Sequence, residues 1–196
     1  MKIGILGFQG CIEPHEAIFA KLGISTIRIR AVEELDSIAG LILPGGESTT
    51  MLRLLAQYEL QAPIQDFSKK RPIWGICAGA ILIAREVVHP EQGSLNLIDI
   101  RAHRNYYGSQ LDSFCKPVNV SFLDEPLDTH FIRAPLLEEM PTATGREKIK
   151  VLGIVDEQPI FFQQGHVWAC SCHFELGEDF GVHQKFIEMS KFVSKA

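Results

Sequence analysis

In the first half of the chain, short uninterrupted apolar runs alternate with helical segments, and this alternation limits the fold more than any other feature. KIGILGF (2–8), STIRIRA (25–31), GLILPGG (40–46) and PIWGI (72–76) read as strands. Between them, PHEAIFAKLG (14–23) predicts a helix opening at Pro14 and stopping at Gly23, VEELDSI (32–38) a short helix, and residues 48–70 a helical region with a break. A further helix is expected from Ala78 to about Val88. Strands that are apolar on both faces have no solvent side. The expected fold is therefore α/β, with a mostly parallel central sheet flanked by helices. In such sheets the residues that handle ligands gather at the carboxyl ends of the strands.

From about Ser94 the pattern turns to strands with few helices: LNLIDIRAH, VNVSFL, THFIRAP, KVLGIVD, PIFFQQG and HVWACSCHFE. These read as additional, partly antiparallel strands elaborating the same sheet. The closing segment FGVHQKFIEMSKFVSK (180–195) carries Phe186, Met189 and Phe192 at helical spacing, as a helix packed on a core would. With 196 residues, no internal repeat and no linker-like tract, residues 1–196 are expected to form one domain.

Charge and composition exclude several classes. Nineteen Lys and Arg against 24 Asp and Glu leave a net charge of −5, so no overall positive field exists to hold a phosphate backbone. The longest apolar stretch, Pro72 to Ala84, is well short of the roughly 20 residues that span a bilayer. The six apolar or glycine residues between Lys2 and Gln9 are too few for a secretory signal core. Five cysteines, an odd number without framework spacing, fit reduced thiols in a cytoplasmic protein.

Within the segment RPIWGICAGAILIA, Gly75-Ile76-Cys77-Ala78-Gly79 has the form Gly-x-nucleophile-x-Gly at a strand-to-helix turn. Glycines suit a turn where strand and helix backbones pass closely, and a helix starting at Ala78 would favour a thiolate and offer N–H groups to an oxyanion. The plainer reading is a packed cysteine beside glycines that only make the turn. A thiol nucleophile needs a base, and the base an orienting group. Of the seven histidines, His173 is followed two residues later by Glu175, and in an extended segment both side chains would point the same way. His15, His89, His103, His130, His166 and His183 have no such arrangement and read as surface or helix residues. In LPGGEST (43–49), two glycines after a buried strand allow backbone N–H groups to face inward, as an oxyanion hole requires, while Ser48 also suits a helix N-cap. A metal reading of Cys170, Cys172 and His173 is disfavoured, because on one strand the two cysteines would face away from the histidine.

PGGES, GICAGAI and CHFE resemble the signature of class I glutamine amidotransferases, a flavodoxin-like fold family. LGFQG, LPGGESTTMLRLL (43–55), RNYYGSQLDSF (104–114) and FIRAP (131–135) narrow the resemblance to the glutaminase subunits of pyridoxal 5′-phosphate synthases. The resemblance implies Cys77 as nucleophile, His173 as base and then acid, and Glu175 as its orienting partner. It also implies an oxyanion hole from the Gly46 and Ala78 amides, glutamine binding by Gly46, Glu47, Ser48, Arg104, Ile132 and Arg133, and no cofactor or metal. Without the resemblance, both arginines read as surface ion pairs. The ammonia released would pass to a separate (β/α)₈ synthase subunit, within a large hetero-oligomer. Gln9 then matches a docking or activation position, its plainer reading being a polar strand end.

The chain departs from the family pattern at three places. Phe174 replaces the proline of a His-Pro-Glu segment, Ile76 stands where threonine is common, and Cys172 where an aromatic is frequent. Proline holds the residue before it extended, so its absence bears on how His173 is positioned. Two other readings remain open from these residues: the glutaminase subunit of another amidotransferase, such as imidazole glycerol phosphate synthase, and a non-catalytic α/β module that uses the elbow thiol for sensing or binding.

Overall fold

The computed structural model describes residues 1–104, 106 and 113–193. Residues 105 and 107–112 of the RNYYGSQLDSF segment, and the side chains of Phe192 and Val193, lie outside this description. Twelve strands are described: β1 (Lys2–Leu6), β2 (Ser25–Ile29), β3 (Gly40–Leu43), β4 (Ile73–Ile76), β5 (Ala84–Val88), β6 (Ile98–His103), β7 (Phe114–Val120), β8 (Leu127–Phe131), β9 (Leu136–Glu139), β10 (Lys150–Val155), β11 (Gln158–Gln164) and β12 (Val167–Cys170). The helices are α1 (Ile12–Lys21), α2 (Ser48–Gln57), α3 (Gln61–Ser68), α4 (Ala78–Ile83) and α5 (Gly181–Val193). Residues Val32–Ser37, expected as a short helix, form a 3₁₀ turn.

Nine strands form one sheet in the order β2-β1-β3-β4-β12-β11-β10-β7-β8. Its first five strands pair in parallel, and antiparallel pairing starts at β11 and continues to β8. Side chains alternate between its faces: Leu41 and Leu43 enter one apolar cluster with Met51, Leu55, Ile64 and Leu82, whereas Ile42 enters the other with Phe19, Trp74 and Phe186. Helices α2, α3 and α4 cover the first face and α1 and α5 the second. Strands β1, β3 and β4 are therefore buried twice, which is why their sequences carry no polar alternation.

Two expectations about this architecture need correction. The helix expected from Ala78 to Val88 ends at Ile83, because Ala84–Val88 leaves it as β5 and pairs in parallel with β6. Continuous apolar residues from Ile81 to Ala84 supply no periodicity that marks the break, and only the partner strand decides it. Second, β5, β6 and β9 do not extend the main sheet but form a separate three-stranded sheet. Leu136–Glu139, in which two leucines precede two glutamates, shows no alternation that would predict a strand. It forms because its ladder with β6 satisfies its backbone.

Candidate active site

The carboxyl ends of β1, β3, β4 and β12 open onto a cavity of about 390 Å³ lined by Gln9, Cys11, Gly46, Glu47, Ser48, Cys77, Ala78, Ile81, Arg104, Ile132, Arg133 and His173. Cys77 sits between β4 and α4 at φ +50°, a conformation rare for a side-chain-bearing residue. Its N–H donates to the Cys170 carbonyl of β12 at 2.8 Å, fixing the turn to the neighbouring strand. A Cβ at Gly75 would lie 2.6 Å from the Gly79 carbonyl oxygen, and one at Gly79 would strike the Leu43 carbonyl. The glycines flanking Cys77 are thus demanded by backbone crossing, and the turn places the thiol at the cavity wall, 8% exposed.

His173 and Glu175 meet, though not in the way their spacing suggested. The strand ends at Cys170, and Phe174–Leu176 is a 3₁₀ turn rather than extended chain. His173 N–H donates to the His130 carbonyl of β8 at 2.8 Å, and its ring Nδ1 lies 2.7 Å from Glu175 Oε1. Phe174, standing where the family has proline, is 2% exposed and packs its ring 5.5 Å from Phe161 and 6.4 Å from Trp74. Apolar burial of that ring therefore anchors the turn that carries both polar side chains.

Burial works against the charge on the His173 imidazole, but contacts with the Cys11 and Cys77 thiols and the Glu175 carboxylate outweigh it and raise its pKa well above the ordinary imidazole range. Glu175 is 4% exposed; burial opposes its ionisation, but facing His15 and His173 holds its carboxyl below the usual range. Cys170 and Cys172 are both buried away from the cavity, where Trp74 Nε1 donates to Cys170 Sγ at 3.3 Å. Burial raises the Cys172 thiol well above its ordinary value. The two cysteines of CSCH are core residues.

The glycine turn after β3 is tied from both sides. The Gly45 carbonyl accepts from Cys11 N–H at 2.9 Å, which sets the direction of the Gly45–Gly46 peptide. Gln9, on the loop after β1, donates from Nε2 to the Glu47 carbonyl at 2.9 Å and accepts from Glu47 N–H at 3.4 Å. A Cβ at Gly46 would lie 2.9 Å from Gln9 Oε1. Gln9 is therefore part of the cavity wall and braces the turn.

The N-cap of α2 is Glu47, not Ser48: its carboxylate accepts from Thr49 N–H at 3.0 Å and Thr50 N–H at 2.6 Å. Burial tends to raise the Glu47 pKa, but these bonds from Thr50 and Thr49 bring it to about 2. A carboxylate at a helix N-terminus also meets the positive end of the helix dipole. Ser48, the first helical residue, instead donates to Gln92 Oε1 at 3.0 Å. Arg104 Nη2 donates to Thr49 Oγ1 at 3.1 Å and lies 3.5 Å from Glu47 Oε1. Ile132 offers its carbonyl 3.9 Å from Cys77 Sγ. Arg133 stands next to it at φ +44°, without an ion pair among the described residues.

Sequence reading missed two residues here. Cys11 puts a second thiol in the cavity, and His15 of α1 is fully buried with Nε2 3.8 Å from Glu175 Oε1. His15 Nδ1 in turn lies 3.0 Å from Nε2 of His183, on α5. Burial lowers the pKa of both imidazoles. The one available signal was the run of polar residues Cys11, Glu13 and His15 between apolar ones at the start of α1, directly after the strand end.

Comparisons with known proteins cover almost the whole chain. The pyridoxal 5′-phosphate synthase subunit PdxT of Thermosipho africanus is 39% identical over 192 residues, covering 97% of this chain and all of that one. The protein of the same name from Deinococcus radiodurans is 39% identical over 196 residues, covering 97% of each. A crystal structure of a glutamine amidotransferase superposes with a TM-score of 0.87 at 34% identity, over 96% of this chain and 98% of the other. The structure of PurLQS from Thermotoga maritima shares the fold, with a TM-score of 0.67 at 17% identity, over 95% of this chain and 97% of that one. The model of the SNO glutamine amidotransferase family matches residues 5–192, and the chain belongs to that family.

Proposed function

We propose that the chain is a glutaminase that hydrolyses L-glutamine to L-glutamate and ammonia and delivers the ammonia to the synthase subunit of a pyridoxal 5′-phosphate synthase. The observation that carries this reading is one cavity wall bearing a turn-borne thiol and an imidazole locked to a buried carboxylate, in a chain whose full length matches the family. Cys77 Sγ attacks the side-chain carboxamide carbon of glutamine as a thiolate, the proton being held on the His173 imidazole. The tetrahedral oxyanion takes hydrogen bonds from the Gly46 and Ala78 amides, and preorganised donors of this kind stabilise it without reorganisation. His173 then protonates the leaving amine, ammonia departs, and a thioester remains. Water, deprotonated by the same imidazole, cleaves the thioester to glutamate and regenerates the thiol.

Glutamine is an amino acid, and its α-carboxylate needs a cation at the mouth of the cavity. Arg133 fits that task, since it brings a guanidinium with no ion pair among the described residues to the cavity. Arg104 holds Thr49 and Glu47 in place, and Glu47 and Ser48 line the path for the amino end. Gln9 transmits docking of the synthase partner to the Gly46–Glu47 turn that it braces. Among the described residues no helix is long and apolar enough to cross a membrane. The five free cysteines suit the reducing cytoplasm.

Glutamate release measured in the presence of the synthase subunit tests the reading. Cys77→Ala should lower the rate by at least about 10³-fold, since loss of a nucleophile removes the covalent route. An unchanged rate would refute it.

A further inference from the structure

Two buried imidazoles stand behind the cavity, and the proposed hydrolysis uses neither. His15 of α1 and His183 of α5 are 0% exposed and do not line the cavity. His15 Nδ1 and His183 Nε2 lie 3.0 Å apart, and on the other side of its ring His15 Nε2 is 3.8 Å from Glu175 Oε1. Trp74 meets both rings edge-on, its centroid 5.9 Å from that of His15 and 5.0 Å from that of His183, and Phe19 stands 5.4 Å from His183. Within these apolar walls, His15 Nε2 and His183 Nδ1 have no hydrogen-bond partner among the described residues.

Burial lowers the pKa of both rings and so keeps them neutral. A neutral imidazole carries one N–H, which leaves two arrangements that satisfy the 3.0 Å contact. In the first, His15 Nδ1–H donates to His183 Nε2. The lone pair of His15 Nε2 then faces a carboxylate oxygen, and His183 Nδ1–H is a buried donor without an acceptor. In the second, His183 Nε2–H donates to His15 Nδ1. His15 then turns its Nε2–H toward Glu175, and the atom left over, His183 Nδ1, is an idle lone pair. The first arrangement carries a repulsion and an unpaired donor, the second only an unused acceptor, so the second is the stable one.

We propose that His183 is a positioning residue for the hydrolysis: by donating from Nε2 to His15 Nδ1, it fixes the tautomer that turns the His15 N–H toward Glu175. Glu175 Oε1 then meets two donors, His173 Nδ1–H at 2.7 Å and the more distant His15 Nε2–H at 3.8 Å. A carboxylate held in this way stays ionised and keeps its oxygen on His173 while that imidazole carries the proton. The inference rests on the glutaminase reading for its consequence and on the contacts among the buried rings for the tautomers.

Two measurements test it. In the ¹⁵N-labelled full chain at pH 7, two-bond ¹H–¹⁵N correlations should show both His15 and His183 with a protonated Nε2 and a bare Nδ1, the signals being assigned by their loss in His15→Gln and His183→Gln. With the synthase subunit present, kcat for glutamate release should fall about fivefold in His183→Leu while KM stays within about twofold. His183→Gln should return kcat to within about twofold of wild type, because its amide nitrogen can donate in place of Nε2. A His15 protonated on Nδ1 or on both nitrogens overturns the proposal, as does an unchanged kcat in His183→Leu or a Gln variant no better than the Leu one. Absent glutamate release in the wild-type complex would count against the glutaminase reading instead, and the nitrogen spectra of the chain would still decide the tautomers.

Discussion

His15 Nε2 lies 3.8 Å from Glu175 Oε1, with both side chains fully buried. The carboxylate that orients His173 is therefore faced by a second imidazole, which α1 carries and which His183 of α5 holds at 3.0 Å from behind. One helix thus brings an imidazole to the carboxylate oxygen, and a second helix on the same sheet face backs that imidazole with another. His15 does not line the cavity and acts as a positioning residue.

Replacing His15 by Gln should lower kcat about tenfold with little change in KM, because substrate contacts are untouched while the Glu175–His173 pair loses its support. Facing His15 and His173 keeps the Glu175 carboxyl low despite its burial, so loss of His15 raises that pKa. The acidic limb of the kcat/KM profile should move to higher pH in His15→Gln. A drop in kcat with an unmoved profile would assign His15 to packing alone.

Burial holds the His183 pKa well below 6.5 in the folded chain, whereas the unfolded imidazole keeps its ordinary value. Below pH 6.5 the unfolded state binds a proton that the folded state refuses, so stability is present above that pH and is lost as pH falls. Urea denaturation of wild type and His183→Gln should show the gap between them narrowing from about pH 7 to about pH 5. A gap that is constant with pH would sink the assignment.

Phe174→Ala should destabilise the chain by about 3 kcal/mol, the usual cost of emptying an aromatic core position. Activity should fall further than stability explains, because the emptied turn carries His173 and Glu175. Thermal melting and kcat, measured at a temperature where the variant remains folded, separate the two effects.

Glu47→Ala should cost about 1 kcal/mol of stability, the value of a lost N-cap. It also strips Arg104 of a partner, so KM for glutamine should rise while kcat holds within a few-fold. Steady-state kinetics on the complex, with denaturation of the isolated chain, checks both.

Gly79→Ala should prevent normal folding, since its methyl group would meet the Leu43 carbonyl oxygen of β3, a backbone atom that cannot move aside. Expression and circular dichroism suffice to check it. A folded, active variant would mean that the glycine only eases the turn.

Much of the site could be read from the residues, and the reason is local. Gly75, Gly79 and the Gly45–Gly46 pair are required where backbones and side chains press close at turns after buried strands, so the glycines advertise the elbow and its neighbour. The pairing of His173 with Glu175 was legible from their separation of two, even though the backbone between them is a 3₁₀ turn instead of a strand.

Other features leave no such local mark. The end of α4 at Ile83 depends on the partner that β5 finds in β6, and the capping of α2 by Glu47 rather than Ser48 depends on how the chain enters the helix.

By itself, then, the sequence determined a doubly covered parallel sheet, the thiol at its elbow, and the imidazole–carboxylate pair, because each is written in residues that are close along the chain. Tertiary structure alone decided that Cys11 joins that imidazole, that His15 and His183 stand behind the carboxylate, and that Gln9 braces the glycine turn. Those contacts join residues as far apart as position 15 and position 183, and only packing of α1 and α5 on the same face of the sheet brings them within reach.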